Sequence, residues 1–264
     1  LLNGPVAASE DRSTLAQIGD ISETKHVDHG VSLASQVGTR VEAPRSFSRL
    51  DRMSVAPLIV LDCDSTTIQD EVIELIADVA GTRAQVAEVT ERAMRGELDF
   101  AESLTERVAT LAGTPESVFA DAYSRIRLSP GIRELIAHAH GLGGKVAVVP
   151  GGFHEVLDPR AADLGLDYWR ANRLEVVDGV LTGRTVGPII DAAAKAAALQ
   201  EWAEASGIPL SATVAIGDGA NDLEMMRVAR LGVSYNGKPI VREQADAAIE
   251  DDLTRVIPLL DRLA

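Results

Sequence analysis

The feature that most constrains this chain is a set of four short apolar runs, Leu58 to Leu61, Val146 to Val149, Thr213 to Ile216 and Leu231 to Ser234, each followed closely by Asp, Gly or Pro. They have the length of strands, and stretches long enough for helices separate them. Buried strands that alternate with helices are the signature of a parallel sheet covered on both faces. The expected fold class is therefore α/β, a doubly wound parallel sheet. In such sheets the functional loops lie at the carboxyl ends of the strands, so the residues just after each run are where chemistry is expected.

Between the first two runs lie about 80 residues, too many for one crossover helix. Their periodicity predicts amphipathic helices over Asp70 to Ala80, Thr82 to Arg95, Phe100 to Ala112 and Pro115 to Ile126, with Gly81, Gly96 and Gly113 as stops. Residues 69–129 are accordingly expected to form a helical cap over the end of the first strand, and residues 56–68 and 130–264 the α/β core. A hairpin is predicted around Asp178-Gly179, between Leu174 to Val177 and Val180 to Thr185. Residues 1–55 mix Ser, Thr, Asp, His, Gly and Pro without a sustained period and are expected to be mostly disordered. The first methionine is Met53, next to the start of the patterned region, so the first 52 residues are expected to lie outside the natural protein.

With 40 acidic against 25 basic residues the formal net charge is -15, which argues against nucleic acid or an anionic membrane surface as a partner. Any phosphate site must then be locally positive. One cysteine, Cys63, excludes an internal disulfide and a multi-thiolate metal site, and it reads as a buried structural thiol. The chain has neither an apolar run of bilayer length nor the blocks of a signal peptide, so the expected location is the cytoplasm.

Two acidic clusters follow strand runs. The first run leads into Asp62-Cys63-Asp64-Ser65-Thr66, where an extended backbone would start the two carboxylates on one side with Cys63 opposite. Such a pair repels itself unless a cation offsets the charge or one carboxyl holds a proton. A calcium loop would need Gly and Glu where Thr67 and Ile73 stand. The third run leads into Gly217-Asp218-Gly219-Ala220-Asn221-Asp222. Acids at the ends of two parallel strands, with a lysine between them in sequence, suit an oxygen-ligand magnesium site that also holds a phosphoryl group.

In sequence order, Asp62 to Thr66, Gly151-Gly152-Phe153, Lys195 and Gly217 to Asp222 resemble the four motifs of haloacid dehalogenase-type phosphatases, over residues 58 to about 250. The segment from Asn172 to Gly183 further resembles phosphoserine phosphatases. The resemblance implies hydrolysis of O-phosphoserine to serine and phosphate, the last step of serine synthesis, through an aspartyl-phosphate. It makes Asp62 the nucleophile, Asp64 the general acid and then base, and Lys195 the balance for phosphoryl charge. Magnesium would be held by Asp62, Asp218 and the backbone carbonyl of Asp64, with Asp222 behind them. Glu71 and Arg107 would bind the ammonium and carboxylate of the substrate, Met94 and Phe100 would be apolar lid positions, and Gly151, Gly152 and Asn221 would line the substrate site.

One motif departs from the pattern. Where the family supplies a serine or threonine hydroxyl to the phosphate, this chain has Pro150, which offers neither a hydroxyl nor an N–H. A weaker or differently tuned enzyme is expected. Residues 1–55 do not resemble the amino-terminal regulatory region many members carry, so serine feedback through such a domain is not expected. The alternatives are a phosphatase or phosphotransferase of the same fold for another small phosphomonoester, and a low-activity binding or regulatory protein. Of the histidines, His26, His29, His138 and His140 read as surface residues and His154 as a helix start; Trp169 and Trp202 read as packing. Composition fixes no oligomeric state.

Overall fold

The computed structural model describes residues 56–263; the expectations for residues 1–55 fall outside that range. Strand β1 (Leu58–Leu61) is four consecutive aliphatic residues, all with no exposure to solvent. Its alternate side chains enter two separate cores: Ile59 and Leu61 pack in one, Leu58 and Val60 in the other. This is why the run is continuously apolar and not alternating.

Four helices follow β1: α1 (Val72–Ala80), α2 (Arg83–Met94), α3 (Phe100–Ala109) and α4 (Val118–Arg125). Then come α5 (Ile132–Gly141), β2 (Lys145–Val148), α6 (His154–Leu164), β3 (Tyr168–Trp169) and the pair β4 (Arg173–Val177) and β5 (Val180–Val186). The chain ends with α7 (Ala192–Ser206), β6 (Thr213–Gly217), α8 (Leu223–Val228), β7 (Leu231–Tyr235), α9 (Pro239–Gln244), β8 (Ala247–Ile249) and α10 (Ile257–Leu263). Six strands form one parallel sheet in the order β3-β2-β1-β6-β7-β8. Strands β1 and β6 are adjacent at its centre, with Leu61 opposite Ile216, so the two acidic clusters emerge side by side. The Asp62 N–H donates to the Ile216 carbonyl at 2.9 Å and extends that ladder to the site itself.

The local signals act as read. Gly81 ends α1 at φ +75, where a left-handed residue lets the orphan carbonyls of the last turn be met. Asp178 and Gly179 both have positive φ, the pattern of a type I′ turn, and β4 pairs antiparallel with β5 across them. Asp99 and Glu102 form a reciprocal capping box at the start of α3.

Several expected boundaries shift for one reason: tertiary bonds take over the backbone. Helix α3 stops at Ala109, short of Ala112, and α4 starts at Val118, later than Pro115. Between them Gly113 N–H donates to Leu181 O, Leu181 N–H to Thr114 O, and Glu116 N–H to Gly179 O, so the connection is tied to the β4–β5 hairpin. Helix α1 begins at Val72 and not Asp70, because the Asp70 carboxylate is engaged with the backbone N–H and guanidinium of Arg127. Among the described residues no helix is long and apolar enough to cross a membrane.

Candidate active site

Beyond Leu61 the backbone does not continue as an extended strand. Asp62 is extended, but Cys63–Thr67 winds into a wide helical turn closed by the Ile68 N–H on the Cys63 carbonyl at 3.0 Å. Strand alternation is therefore not what brings the two carboxylates together. The turn does it, with Ser65 at φ +54 and the Thr67 hydroxyl donating to the Asp62 carbonyl at 2.6 Å. Cys63 points into the core with 4% exposure, and burial lifts its thiol well above the ordinary range.

Asp62 is held from two directions. Its Oδ1 accepts from the Cys63 N–H at 2.7 Å and from Lys195 Nζ at 2.8 Å. Lys195, fully buried on the first turn of α7, also donates to Asp222 Oδ1 at 2.8 Å. Burial alone would drive the ammonium toward neutrality, yet Asp222 and Asp62 more than reverse this and hold it charged. Asp222, also fully buried, accepts the Gly219 N–H on Oδ2 at 3.0 Å. Burial first, and then Asp62, raise Asp222 to about 7, against the pull of Lys195. Gly217 makes room for this arrangement: a Cβ there would lie 2.2 Å from Asp222 Oδ2.

The carboxylates of Asp62, Asp218 and Asp222 lie within 4.8 Å of one another. Both Asp222 oxygens already have donors, which leaves Asp62 and Asp218 as the acids facing open space. Asp218 meets the Thr66 hydroxyl only at 3.4 Å, and burial with the nearby Asp62 raises it to about 6. Lys238 and Lys195 only partly oppose that rise, and such a carboxylate beside a second one is a donor set suited to a hard divalent cation.

A cavity of about 130 Å³ opens above these groups, lined by Asp62, Asp64, Asp218, Gly151, Gly152 and Asn221 and, from the inserted helices, Glu71, Phe100 and Arg107. Asp64 Oδ1 accepts the Val72 N–H at 3.3 Å, and burial, Glu71 and Asp62 together raise its carboxyl well above the usual range. Glu71 accepts the Ser65 hydroxyl at 2.8 Å; its carboxyl is raised mainly by burial. Burial lowers Arg107, opposed by Glu71 and Asp64. Phe100 closes over Gly151 so tightly that a Cβ on Gly151 would lie 2.8 Å from its ring. The Gly151 carbonyl is fixed from behind by the Asn172 amide at 2.9 Å.

The predicted residues do not all share that cavity. Lys195 and Asp222 lie beneath Asp62. Met94, 74% exposed, lines an adjoining open cleft of about 600 Å³ together with Phe100, Arg107 and Asn221. Pro150 faces a small apolar recess with Cys63 and the back of Asp64. His154 sits at the first position of α6, where Nδ1 meets Asp158 at 2.7 Å and Nε2 accepts the Ala171 N–H at 3.1 Å. Lys238, which the sequence reading missed, lines both the cavity and the cleft. The strand-end rule that found Asp62 and Asp218 would have reached it, three residues past β7.

Known proteins share this architecture and much of this sequence. The family model for haloacid dehalogenase-like hydrolases matches residues 59–227. The chain is 51% identical over 210 residues to a phosphoserine phosphatase of Streptococcus thermophilus, which covers 79% of this chain and 98% of that protein. It is 53% identical over 192 residues to a phosphoserine phosphatase of Mycobacterium tuberculosis, covering 73% of this chain but 47% of the relative, so the chain spans about half of that protein's length. A solved structure described as a phospho-aspartyl intermediate analogue of phosphoserine phosphatase superposes with a TM-score of 0.73 at 40% identity, covering 77% of this chain and 98% of the other. A sheet with two adjacent acid-bearing strand ends, a buried lysine joining them, and this extent of identity lead to one assignment: the chain belongs to the haloacid dehalogenase-like hydrolase family.

Proposed function

We propose that this chain is a magnesium-dependent phosphoserine phosphatase that works through an aspartyl-phosphate on Asp62. The observation that carries the reading is a single cavity with two kinds of wall: Asp62, Asp64 and Asp218 on the core, and Glu71 with Arg107 on the inserted helices. The first set suits a phosphoryl group and a cation; the second suits an ammonium and a carboxylate. Residues 69–129 act as a cap that supplies substrate recognition, over a core of residues 56–68 and 130–264.

In this reading the Asp62 carboxylate, held in place by Lys195 and the Cys63 N–H, forms a bond to phosphorus as the bond to the seryl oxygen breaks. Asp64, whose raised carboxyl favours the protonated form, gives that proton to the departing oxygen. Water then attacks the phosphorus of the aspartyl-phosphate and passes a proton back to Asp64, releasing phosphate and restoring Asp62. Lys195 stays charged throughout and balances the negative charge gathered around Asp62 and Asp222. Asp62, Asp218 and the Asp64 carbonyl would hold magnesium, which when bound offsets charge on the transferring oxygens. Asp222 would position Lys195 from behind. Glu71 faces the substrate ammonium and Arg107 its carboxylate, with Phe100 packed over Gly151, both Gly152 and Asn221 along the wall, and Met94 at the rim. Release of free serine would make this the last step of serine synthesis, and one cysteine in the sequence is compatible with the cytoplasm as its location.

Phosphate release from phosphoserine, phosphothreonine and sugar phosphates tests the reading, with Asp62→Asn as control. Phosphoserine should lead the panel, the control should be inactive, and beryllium fluoride with magnesium should be captured only when Asp62 is intact. A sugar phosphate turned over faster than phosphoserine would overturn the substrate assignment.

A further inference from the structure

Lys238 borders the cavity and, among the described residues, forms no ion pair with a carboxylate. Three lysines fall among the described residues: Lys145 pairs with Asp167 at 2.7 Å, Lys195 with Asp62 and Asp222, and Lys238 with no carboxylate within 4.0 Å. In a chain with 40 acidic and 25 basic residues, this cation beside four cavity carboxylates forms no ion pair among the described residues, though its charge reaches Asp218 at longer range, and it can serve an incoming anion. Its side chain is exposed and borders both the inner cavity and the outer cleft, so it lies on the way from one to the other.

The backbone beneath it is fixed. Asn236 adopts φ +47, donates its N–H to Ile249 O at 3.0 Å and accepts the Asp251 N–H on its side chain at 3.1 Å. Gly237 is tightly enclosed: a Cβ there would lie 2.1 Å from Ser234 Oγ. Lys238 then donates its own N–H to the Asp218 carbonyl at 3.1 Å. The loop thus anchors the Lys238 backbone against the end of β6 while its ammonium pairs with no carboxylate among the described residues.

We propose that Lys238 recruits and binds the phosphate dianion of the substrate, meeting it in the outer cleft and remaining in contact with it in the inner cavity. A net charge of -15 repels a dianion at long range, and a local cation in a cleft offsets that field where it matters. A lysine ammonium, being a compact point charge on a flexible stem, can follow a phosphate as it changes orientation between cleft and cavity. The inference rests on the phosphomonoester reading but not on the seryl group, because only the phosphate is recognised.

Steady-state kinetics of Lys238→Met and Lys238→Arg, at saturating magnesium, with phosphoserine and with p-nitrophenyl phosphate, test it. Lys238→Met should raise KM for both substrates about five- to tenfold with kcat within about twofold, and should weaken competitive inhibition by inorganic phosphate to a similar extent. It should also flatten the fall of kcat/KM with added salt. Lys238→Arg should recover most of the loss. An unchanged KM, a loss confined to kcat, or a shift only in the magnesium activation constant would overturn the proposal, the last by showing that Lys238 acts through Asp218. Activity on p-nitrophenyl phosphate alone, with the KM effect intact, would support Lys238 while removing the phosphoserine assignment.

Discussion

Replacing Lys195 with methionine removes a fully buried cation from between the fully buried Asp222 and the cavity-lining Asp62, and leaves the two carboxylates facing one another without it. Breaking a buried ion pair from one side costs about 3–5 kcal/mol, because the charge left behind is neither hydrated nor paired. Asp222 already sits at about 7 with Lys195 opposing the rise, so in the variant it must rise further and the folded state takes up a proton that the unfolded chain does not. Folding coupled to uptake of one proton gains about 1.4 kcal/mol for each unit of falling pH. The sign follows: a carboxyl raised in the folded state imposes its full cost above its folded pKa, and that cost shrinks as pH falls toward the unfolded value. Lys195→Met should therefore lose about 3–5 kcal/mol near pH 8 and much less near pH 5.5, read from urea unfolding at both values. Turnover at pH 7 should fall by at least about a hundredfold, the scale of losing one preorganised charged donor. The double variant with Asp222→Asn should be more stable than the single one at pH 8. A loss below about 1 kcal/mol at pH 8, or an equal loss at both pH values, would refute the coupled triad.

Pro150→Ser supplies a hydroxyl and should raise kcat/KM for phosphoserine by about one to two orders of magnitude, from the roughly 1.5–3 kcal/mol of a bond to a charged group; no gain would mean that the hydroxyl stays in the recess beside Cys63 or that another donor already serves that oxygen. Magnesium affinity should weaken as pH falls through about 6, because Asp218 must lose its proton to act as a ligand. Calorimetry in buffers of different ionisation enthalpy should show proton release at pH 6, and an affinity flat between pH 5 and 7 would contradict this. Glu71→Gln should raise KM for phosphoserine about tenfold or more while sparing p-nitrophenyl phosphate, which has no ammonium; equal effects on both would place Glu71 outside substrate recognition.

Much of the sheet was readable because β1 is a continuous aliphatic run and β2, β6 and β7 are short, mainly apolar runs with Asp, Gly or Pro close behind, and parallel order follows from the intervening helices. The short edge strands β3 and β8 carried no such run; Tyr168–Trp169 and Ala247–Ile249 are strands only because a neighbour offers its backbone. Asp62, Asp64 and Asp218 were legible as acids at strand ends, where charge has no reason to collect without a task. How Asp62 and Asp64 meet was not, since the wide turn with Ser65 at positive φ leaves no signal in residue type. Lys238 escaped notice because a single lysine in a loop looks like a solvated charge until the cavity beside it is seen.

The adjacency of β1 and β6 has a bearing on biosynthesis. Thr66 and Asp218 touch across 152 positions of chain, so the pocket cannot exist while that later segment is still inside the ribosome. Closing so distant a contact is slow compared with forming the helices between them. Recovery of enzymatic turnover after dilution from denaturant should consequently trail the return of helical circular dichroism, with activity serving as a clock for the last step of assembly.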